Sequence, residues 1–322
     1  MAQNVLAKED AADSWKPSSG LYLAKRSPGD KAADVLIYLI FGLITLLCIF
    51  PFYYIFINTI SSNEIVSQGK VYFFPREIQL SNYVSVFKIK GLGNAAIISV
   101  LRTVIGTFCT VFASGLLGYL FTKRQMFGRR FWYRFIVITM YFNAGLIPWY
   151  LTMYNLKLTD NFLAYIFPVI VQPFFIILVK TYIESLPSSL EEAAEIDGAG
   201  IFRTFVSIIL PLSKPILATI AVFAAVNQWN SYIDTLILMT KQELWSLQFI
   251  LYKYINQANS LAAMLRNMNS VDPNMVKNIA SRQTPESVRM TVTIIVVFPI
   301  LVVYPLFQRF FIKGIMIGAV KG

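Results

Sequence analysis

The chain has 322 residues, of which 56% are hydrophobic and only 14% are charged, and its mean hydropathy is +0.59. Soluble domains carry about 25% charged residues, so this composition argues against a soluble protein and favours one that lies in a membrane. The chain contains no histidine, which excludes histidine-based triads, zinc sites and proton relays. The net charge of +11 fits basic loops on the cytoplasmic side of a membrane better than nucleic-acid binding, since no basic stripe is interleaved with exposed aromatic residues.

A polar stretch opens the chain, and six apolar segments follow it. Residues 1–34 are not predicted to be a signal peptide, because no apolar core directly follows a short basic start. They are predicted to form a cytoplasmic tail. A helix needs about 20 apolar residues to cross a bilayer. The segments that reach this length are 35–59, 95–120, 131–153, 162–183, 208–239 and 290–312. The sequence therefore predicts an all-α integral membrane protein with six transmembrane helices within residues 35–322, and the fifth segment is too long for a simple span.

Basic residues set the predicted orientation. The loop after the second segment is densely basic and contains no acid, and the C-terminal tail has the same character. The residues that carry this charge are Lys123, Arg124, Arg129, Arg130, Arg309, Lys313 and Lys321. Such loops stay in the cytoplasm, so both termini are predicted to be cytoplasmic. The long segment 240–289 then lies outside, where it covers the mouth of a pathway, contacts an external partner, or forms a plain surface loop.

The polar segment 185–211 lies between the fourth and fifth apolar segments and has the marks of a structured loop. Ser188 and Ser189 each precede a glutamate by three residues, which is the spacing of a capping box at a helix start. A helix is predicted to begin near Ser189 and to end at Gly198, because glycine accepts the left-handed conformation that ends many helices. A second short helix is predicted over 201–209, before two prolines allow a bend towards the bilayer. The acidic, alanine-containing first helix is a compact knob that could sit in a cleft of another protein.

This loop carries a spaced motif. In order, the motif consists of Glu192-Ala193-Ala194, three residues, Gly198, nine residues and Ile208-x-Leu210-Pro211. The pattern resembles the EAA loop of binding-protein-dependent ABC importer permeases. The segments 142–148, 210–215 and 313–322 are similar to those of the carbohydrate branch, in permeases for complex oligosaccharides that resemble the MalG-like subunit of maltose importers.

The resemblance implies a division of labour among several chains. The loop helix would be a coupling helix, seated in a groove of a separate ATPase subunit. The positions that the resemblance assigns to ATPase docking are Glu191, Glu192, Ala193, Ala194, Asp197 and Gly198. The implied partners are a homologous second permease, two ATPase subunits and an external solute-binding protein, in the bacterial cytoplasmic (inner) membrane. The chain has no G-x-x-x-x-G-K-[ST] phosphate loop, so ATP and Mg²⁺ are expected on the ATPase, with no catalytic residue, cofactor, metal or nucleic acid on this chain.

Uncharged polar and aromatic residues in the later segments are candidates for the substrate pathway, since amides and aromatic faces hold sugars. The candidates are Asn143, Tyr150, Gln172, Phe174, Asn227, Trp229, Asn230 and Tyr232. The alternative is packing, because aromatics anchor membrane interfaces and amides tie helices together. The expected substrate is a sugar or oligosaccharide, and the basic residues of the outer loops leave an acidic one, such as a uronate oligosaccharide, as one alternative.

Three other classes of function compete with this interpretation: a permease for a non-sugar solute, an ion-coupled secondary transporter and an intramembrane enzyme. Ion-coupled carriers usually bury acids or histidines at mid-membrane depth, and none is evident in the centres of the second to fifth segments. Arg102 is expected to pair or to reach outward, and Lys180 to extend to the interface. An enzyme is disfavoured, because the sequence shows neither an H-E-x-x-H motif nor paired aspartates within a segment.

Overall fold

The structure is a computed structural model that describes residues 28–267 and 285–314. These residues form helices that are joined by turns and loops, with no strand among them. The α-helices are α1 (Pro28–Thr59), α2 (Asn63–Ser67), α3 (Ser81–Phe87), α4 (Leu92–Leu120), α5 (Arg129–Thr139), α6 (Leu146–Asn155), α7 (Pro173–Glu184), α8 (Ser189–Ile196), α9 (Ile201–Thr204), α10 (Leu210–Leu212), α11 (Lys214–Asn230), α12 (Ile233–Leu238), α13 (Leu247–Asn267) and α14 (Pro285–Gly314). Short 3₁₀ turns cover Phe162–Tyr165, Phe167–Val169 and Gln242–Leu244, and a π-helical turn covers Phe205–Ile209.

The chain divides into two units, Met1–Tyr53 and Tyr54–Gly322. The described part of the first unit belongs to α1, whose leucines, for example Leu39 and Leu46, are exposed. A row of exposed apolar side chains fits contact with lipid rather than with water. Of the predicted tail 1–34, the last seven residues are already helical, and residues 1–27 lie outside the described part of the chain.

In the described part of the chain, two helices are long and apolar enough to cross a membrane. They are Lys31–Thr59, with a mean hydropathy of 2.7, and Leu92–Leu120, with 1.9. They contain the first and second predicted spans, 35–59 and 95–120, which are therefore confirmed as continuous helices.

The fourth and fifth predicted spans are not single helices. The pair Phe162–Val169 and Pro173–Glu184 is bent by 47°, and the pair Ile201–Leu212 and Lys214–Asn230 by 81°. Proline lacks the backbone N–H that a helix interior needs, and prolines begin or flank the second member of each pair. Counting each bent pair as one span gives up to four candidate spans among the described residues.

The third predicted span, 131–153, is wrong as a continuous helix. The chain leaves helical geometry between α5 and α6, where Gly145 adopts a φ of +85°. The Asn143 side chain accepts a hydrogen bond from the Gly145 N–H at 2.9 Å, which stabilises a turn instead of a helix. The sixth span, 290–312, falls inside α14, in which Ser287–Val303 forms a shorter apolar helical stretch.

The predicted outer segment 240–289 is in large part helical. Its residues 247–267 form α13, and 285–289 begin α14, while 268–284 lie outside the described residues. The C-terminal residues 315–322, which include Lys321 and most of the family-like ending, lie outside them too.

Helix α4 takes part in all three buried apolar clusters of the second unit. Tyr119 packs with residues of α7, the π-helical turn and α11. Leu92 packs with residues of α13 and α14, and Ile98 with residues near α6 and α12. Because separate regions of the core share this helix, its position determines theirs.

Close approach of α4 to α7 depends on a glycine. A Cβ at Gly118 would lie 2.7 Å from Val179 Cγ1 and 3.1 Å from the backbone nitrogen of Lys180. Ser114, four residues earlier on the same face, is completely buried. The two small residues therefore leave room for a neighbouring helix, as small-xxx-small pairs do in membranes.

A buried ion pair joins α4 to the chain that follows α11. The Arg102 side chain is only 2% exposed and makes a salt bridge to Asp234 of α12. Its Nε and Nη2 each donate to Gln228 Oε1 at 3.0 Å, and its guanidinium lies 4.2 Å from the centre of the Tyr165 ring. The expectation that Arg102 pairs is confirmed, and the carboxylate that it uses neutralises its charge inside the protein.

The remaining members of this cluster are also satisfied. Gln228 Nε2 donates to the Tyr165 carbonyl at 2.8 Å, and the Tyr165 hydroxyl donates to the Leu244 carbonyl at 2.6 Å. A Cβ at Gly106 would collide with the Gln228 amide, so the glycine leaves space for that side chain. We define this set, Arg102, Gln228, Asp234 and Tyr165, as the Arg102 cluster.

Gly118→Ala is expected to lower the free energy of unfolding by about 1–3 kcal/mol, because α7 must shift to admit the methyl group. Gly93→Ala is the matched control in the same helix, since no atom lies within 4 Å of its added Cβ. The measurement is thermal unfolding of the detergent-solubilised protein. Equal melting temperatures for the two variants would contradict the close approach.

Asp234→Asn is expected to cost about 3–5 kcal/mol of unfolding free energy, because it leaves the Arg102 charge buried without its carboxylate. The double variant Arg102→Met/Asp234→Asn should recover part of that loss, since it removes the charge as well. Glu184→Gln is the control, because the Lys180–Glu184 pair is more exposed and such pairs contribute about 0–1 kcal/mol. Denaturant unfolding in micelles compares the variants, and a double variant less stable than Asp234→Asn would contradict this account.

Candidate functional site

The helix of the polar loop 185–211 is α8, which begins at Ser189 as the sequence predicts. The predicted capping box does not form. Ser188 has helical dihedral angles (φ −63°, ψ −26°) and its side chain makes no capping hydrogen bond. A capping residue usually has extended dihedral angles that turn its oxygen towards the free N–H groups, and the Glu191 carboxylate is bound elsewhere.

Gly198 terminates α8, as predicted, two residues after the last helical residue, Ile196. Gly198 has a φ of +77°, in the left-handed region. The Gly198 N–H donates to the Glu195 carbonyl at 3.1 Å and the Ala199 N–H to the Ala194 carbonyl at 2.9 Å. These two bonds are those of a Schellman motif, which satisfies the last carbonyls of the helix.

Lys123, just beyond the end of α4, holds α8 against the rest of the protein. Its Nζ lies 2.5 Å from Glu191 Oε2 and 3.9 Å from Glu195 Oε1. The same Nζ lies 4.8 Å from the centre of the Tyr119 ring. Burial alone would lower the pKa of Lys123, but its hydrogen bond with Glu191 and the neighbouring Tyr119 outweigh burial and raise that pKa above the usual value. Lys123 is therefore charged at neutral pH, and the contact is a stable ion pair.

The two sides of α8 have different surroundings. Ala194 is buried, and Glu191 and Glu195 lie on the side that meets Lys123. The opposite side is exposed, with Ile196 at 86%. This exposed side, which we call the docking face, consists of Glu192, Ala193, Ile196 and Asp197. This side of α8 therefore makes none of the contacts that fix the helix to the rest of the chain, and its side chains remain accessible.

The predicted docking residues therefore separate into two groups. Glu192, Ala193 and Asp197 are on the docking face, and Gly198 ends the helix beside them. Glu191 and Ala194 face inward and fix the helix. Beyond α8, the π-helical turn places Phe205 against Tyr119, with ring centres 5.6 Å apart, so the loop is also anchored in the core.

The first four predicted pathway residues lie around the breaks between helices. Asn143 is exposed and caps the turn before α6, and Tyr150 of α6 is half-buried with its ring 6.3 Å from that of Tyr154. Gln172 is half-buried immediately before α7, and Phe174 in the first turn of α7 is exposed.

The last four predicted pathway residues belong to the end of α11 and the chain after it. Asn227 is exposed, whereas Trp229 is used in packing, where its indole N–H donates to the Val296 carbonyl at 3.0 Å. Asn230 accepts a hydrogen bond from Gln248 at 3.1 Å, and the Tyr232 ring stacks on Tyr252 at 4.7 Å. The structure thus brings Asn230 and Tyr232 together with α13.

Sequence reasoning missed two residues that organise these regions. Asp234 is an acid within the predicted fifth span, and a charge at such a position by itself indicates a residue with a specific role. Lys123 belongs to a dense basic cluster, and nothing in the local sequence distinguishes it from its neighbours. Among the described residues, no group of three or more His, Cys, Asp or Glu side chains is arranged to hold a metal ion.

Comparison with known proteins agrees with this architecture. The family of binding-protein-dependent transport system inner membrane components matches residues 111–317. The polygalacturonan/rhamnogalacturonan transport system permease protein YtcP of Bacillus subtilis is 32% identical over 289 residues, which cover 90% of this chain and 98% of that protein. The arabinooligosaccharides transport system permease protein AraQ of Halalkalibacterium halodurans is 26% identical, over 88% and 94% of the two chains.

A solved structure also matches. It is the crystal structure of a bacterial ABC transporter involved in the import of the acidic polysaccharide alginate, with a TM-score of 0.76 and 30% identity, over 88% of this chain and 98% of that chain. The family match covers well over half of the chain and includes the whole of α8 and its anchors. The chain belongs to the binding-protein-dependent transport system inner membrane components, the permease subunits of ABC transporters.

Proposed function

We propose that this permease imports an acidic oligosaccharide, and that separate ATPase subunits drive it by binding α8. The observation that carries the coupling proposal is the docking face, which is exposed on one side of a helix whose other side is fixed by Lys123. The position of the EAA motif on this helix supports the assignment. The ATP and Mg²⁺ belong to the ATPase, and this chain contributes the pathway and its movement.

The proposed partners are a second permease, two ATPase subunits and an external binding protein. We place six crossings of the bacterial inner membrane in this chain, with both termini in the cytoplasm. Successive loops then lie on opposite sides of the membrane. Contacts between loops assigned to the same side support this topology. Lys123 meets Glu191 on the inner side, and on the outer side Asp160 accepts from the Thr240 N–H at 2.6 Å.

Movement of α8 is expected to reach the membrane helices directly. The helix is tied to the end of α4 through Lys123, and the following turn is tied to the same end through Phe205 and Tyr119. Packed side chains and an ion pair transmit displacement with little loss, because protein interiors are close-packed. An ATPase that moves α8 would therefore move α4, and with it the regions that α4 contacts.

The proposed substrate class is acidic because two of the proteins compared are named for polymers that contain uronic acids, polygalacturonan/rhamnogalacturonan and alginate. The carboxylates of these sugars are ionised at neutral pH, and the basic residues of the predicted outer segments, for example Lys88 and Lys253, suit them. An ion-coupled carrier is disfavoured, because the Asp234 carboxylate is already bound to Arg102 and does not remain available for a coupling ion.

Oligogalacturonates are expected to stimulate ATP hydrolysis by the complex, reconstituted in liposomes with its binding protein. Neutral galacto-oligosaccharides of equal length are the control and should stimulate less. Stimulation by the neutral sugars alone would contradict the acidic substrate, and the absence of stimulation by any sugar would contradict carbohydrate import.

Gly198→Val is expected to uncouple transport from ATP hydrolysis, because a β-branched residue is strained at a φ of +77° and the end of α8 must rearrange. Gly200→Val is the matched control, since both positions are open to solvent but Gly200 has an ordinary φ of −70°. The measurements are membrane insertion, co-purification of the ATPase and sugar uptake. Uptake by Gly198→Val equal to that of the control would overturn the coupling role of this helix end.

A further inference from the structure

Helix α13, in the predicted outer segment, has two different sides. Leu247 and Ile250 are buried in the cluster that α13 shares with α14, where they meet Val288, Val292 and Val296. The other side lines an open cavity with a volume of about 610 Å³. This volume falls within the range of about 300–1,000 Å³ that is typical of small-molecule sites.

We propose that this cavity is a binding site for a uronic acid unit of the transported oligosaccharide. The proposal rests on the proposed function, from which it takes the substrate class, and it adds the place and the residues of contact. The lining residues that carry the argument are Trp245, Phe249, Tyr252, Lys253, Asn256 and Gln257.

Aromatic rings form one end of the cavity. Trp245 and Phe249 are in edge-to-face contact with ring centres 5.1 Å apart, and Tyr252 follows on the same side of α13. A sugar ring has an apolar face of C–H groups, which is attracted to the negatively polarised face of an aromatic ring. These rings are held by packing, so they would bind a sugar with little loss of conformational freedom.

Lys253 supplies a positive charge next to these rings. Its Nζ lies 4.5 Å from the centre of the Trp245 ring, and its side chain is exposed. Among the side chains that the structure describes, none forms an ion pair with this lysine. A cation held on an aromatic face without a carboxylate partner is suited to a carboxylate ligand, which would accept a charge-assisted hydrogen bond.

Amide side chains complete the polar end. Asn256 and Gln257 lie three and four residues after Lys253, so they share its side of the helix. Each amide can both donate and accept, as sugar hydroxyls require. From Phe249 to Ser260, the lining residues extend along about 16 Å of helix, which suits an oligosaccharide better than a single ring.

The cavity is connected to the residues that the sequence assigns to the pathway. The Tyr252 ring stacks on Tyr232, and the Gln248 amide donates to Asn230. A sugar bound on α13 would therefore contact a helix that is hydrogen-bonded to the end of α11. This position fits a site that receives the substrate before it enters the membrane part of the protein.

The test measures binding of radiolabelled trigalacturonate to the complete complex of both permeases and both ATPases in lipid nanodiscs, without the binding protein. Lys253→Gln should raise the Kd about tenfold or more, the loss expected for a charge-assisted hydrogen bond. Lys253→Arg should restore binding, because it keeps the charge. Lys88→Gln removes the same charge from an exposed lysine outside the cavity and should leave the Kd unchanged.

A neutral trigalactoside provides the second control. It should bind more weakly than trigalacturonate, and its Kd should be the same for the wild type and for Lys253→Gln. Equal trigalacturonate affinity for the wild type and Lys253→Gln would overturn the site, as would no binding to the wild-type complex. Either result would leave the proposed function standing if oligogalacturonates still stimulated ATP hydrolysis in the presence of the binding protein. Failure of that stimulation would instead count against the proposed function.

Discussion

The burial of the Arg102 charge is the constraint on which much of this fold depends. A guanidinium that is 2% exposed must find a carboxylate and further acceptors, since an uncompensated charge in an apolar interior is very costly. Its partners come from α11 and α12, and the Tyr165 ring that it faces comes from the 3₁₀ turn before α7. Satisfying one side chain therefore fixes several segments relative to α4, and Gly106 leaves the space that this arrangement needs.

Helix α4 links this cluster to the polar loop that contains α8. Arg102 lies in its first half, and Lys123 lies three residues beyond its last residue, about 30 Å away along the helix axis. At that end, Lys123 and Tyr119 hold α8 and the π-helical turn. One element thus connects the exposed face of α8 with the region where α11 and α13 meet. The coupling proposed above requires such a connection, because force applied at the loop must reach the pathway.

The prediction of spans is correct where one apolar segment of the sequence forms one continuous helix, as in α1 and α4. It fails between α5 and α6 and at the bends beside Pro173 and Pro211, where the apolar composition continues but the backbone does not. Hydropathy measures how well a segment tolerates lipid and carries no direct information on where the helix stops. The Asn143 side chain and Gly145 supply that stop through a hydrogen bond and a positive φ, which average hydropathy does not register.

The sequence by itself determined the membrane class, the family-like loop, the start of α8 at Ser189 and its end at Gly198, because composition and local backbone preferences act within a few residues. Only the tertiary structure decided which charges pair. Lys123 and Glu191 are separated by 68 positions, and Arg102 and Asp234 by 132. It also decided against the capping box, since Ser188 has helical dihedral angles and the Glu191 carboxylate is paired with Lys123. Pairings over such separations depend on how helices pack, which no local pattern encodes.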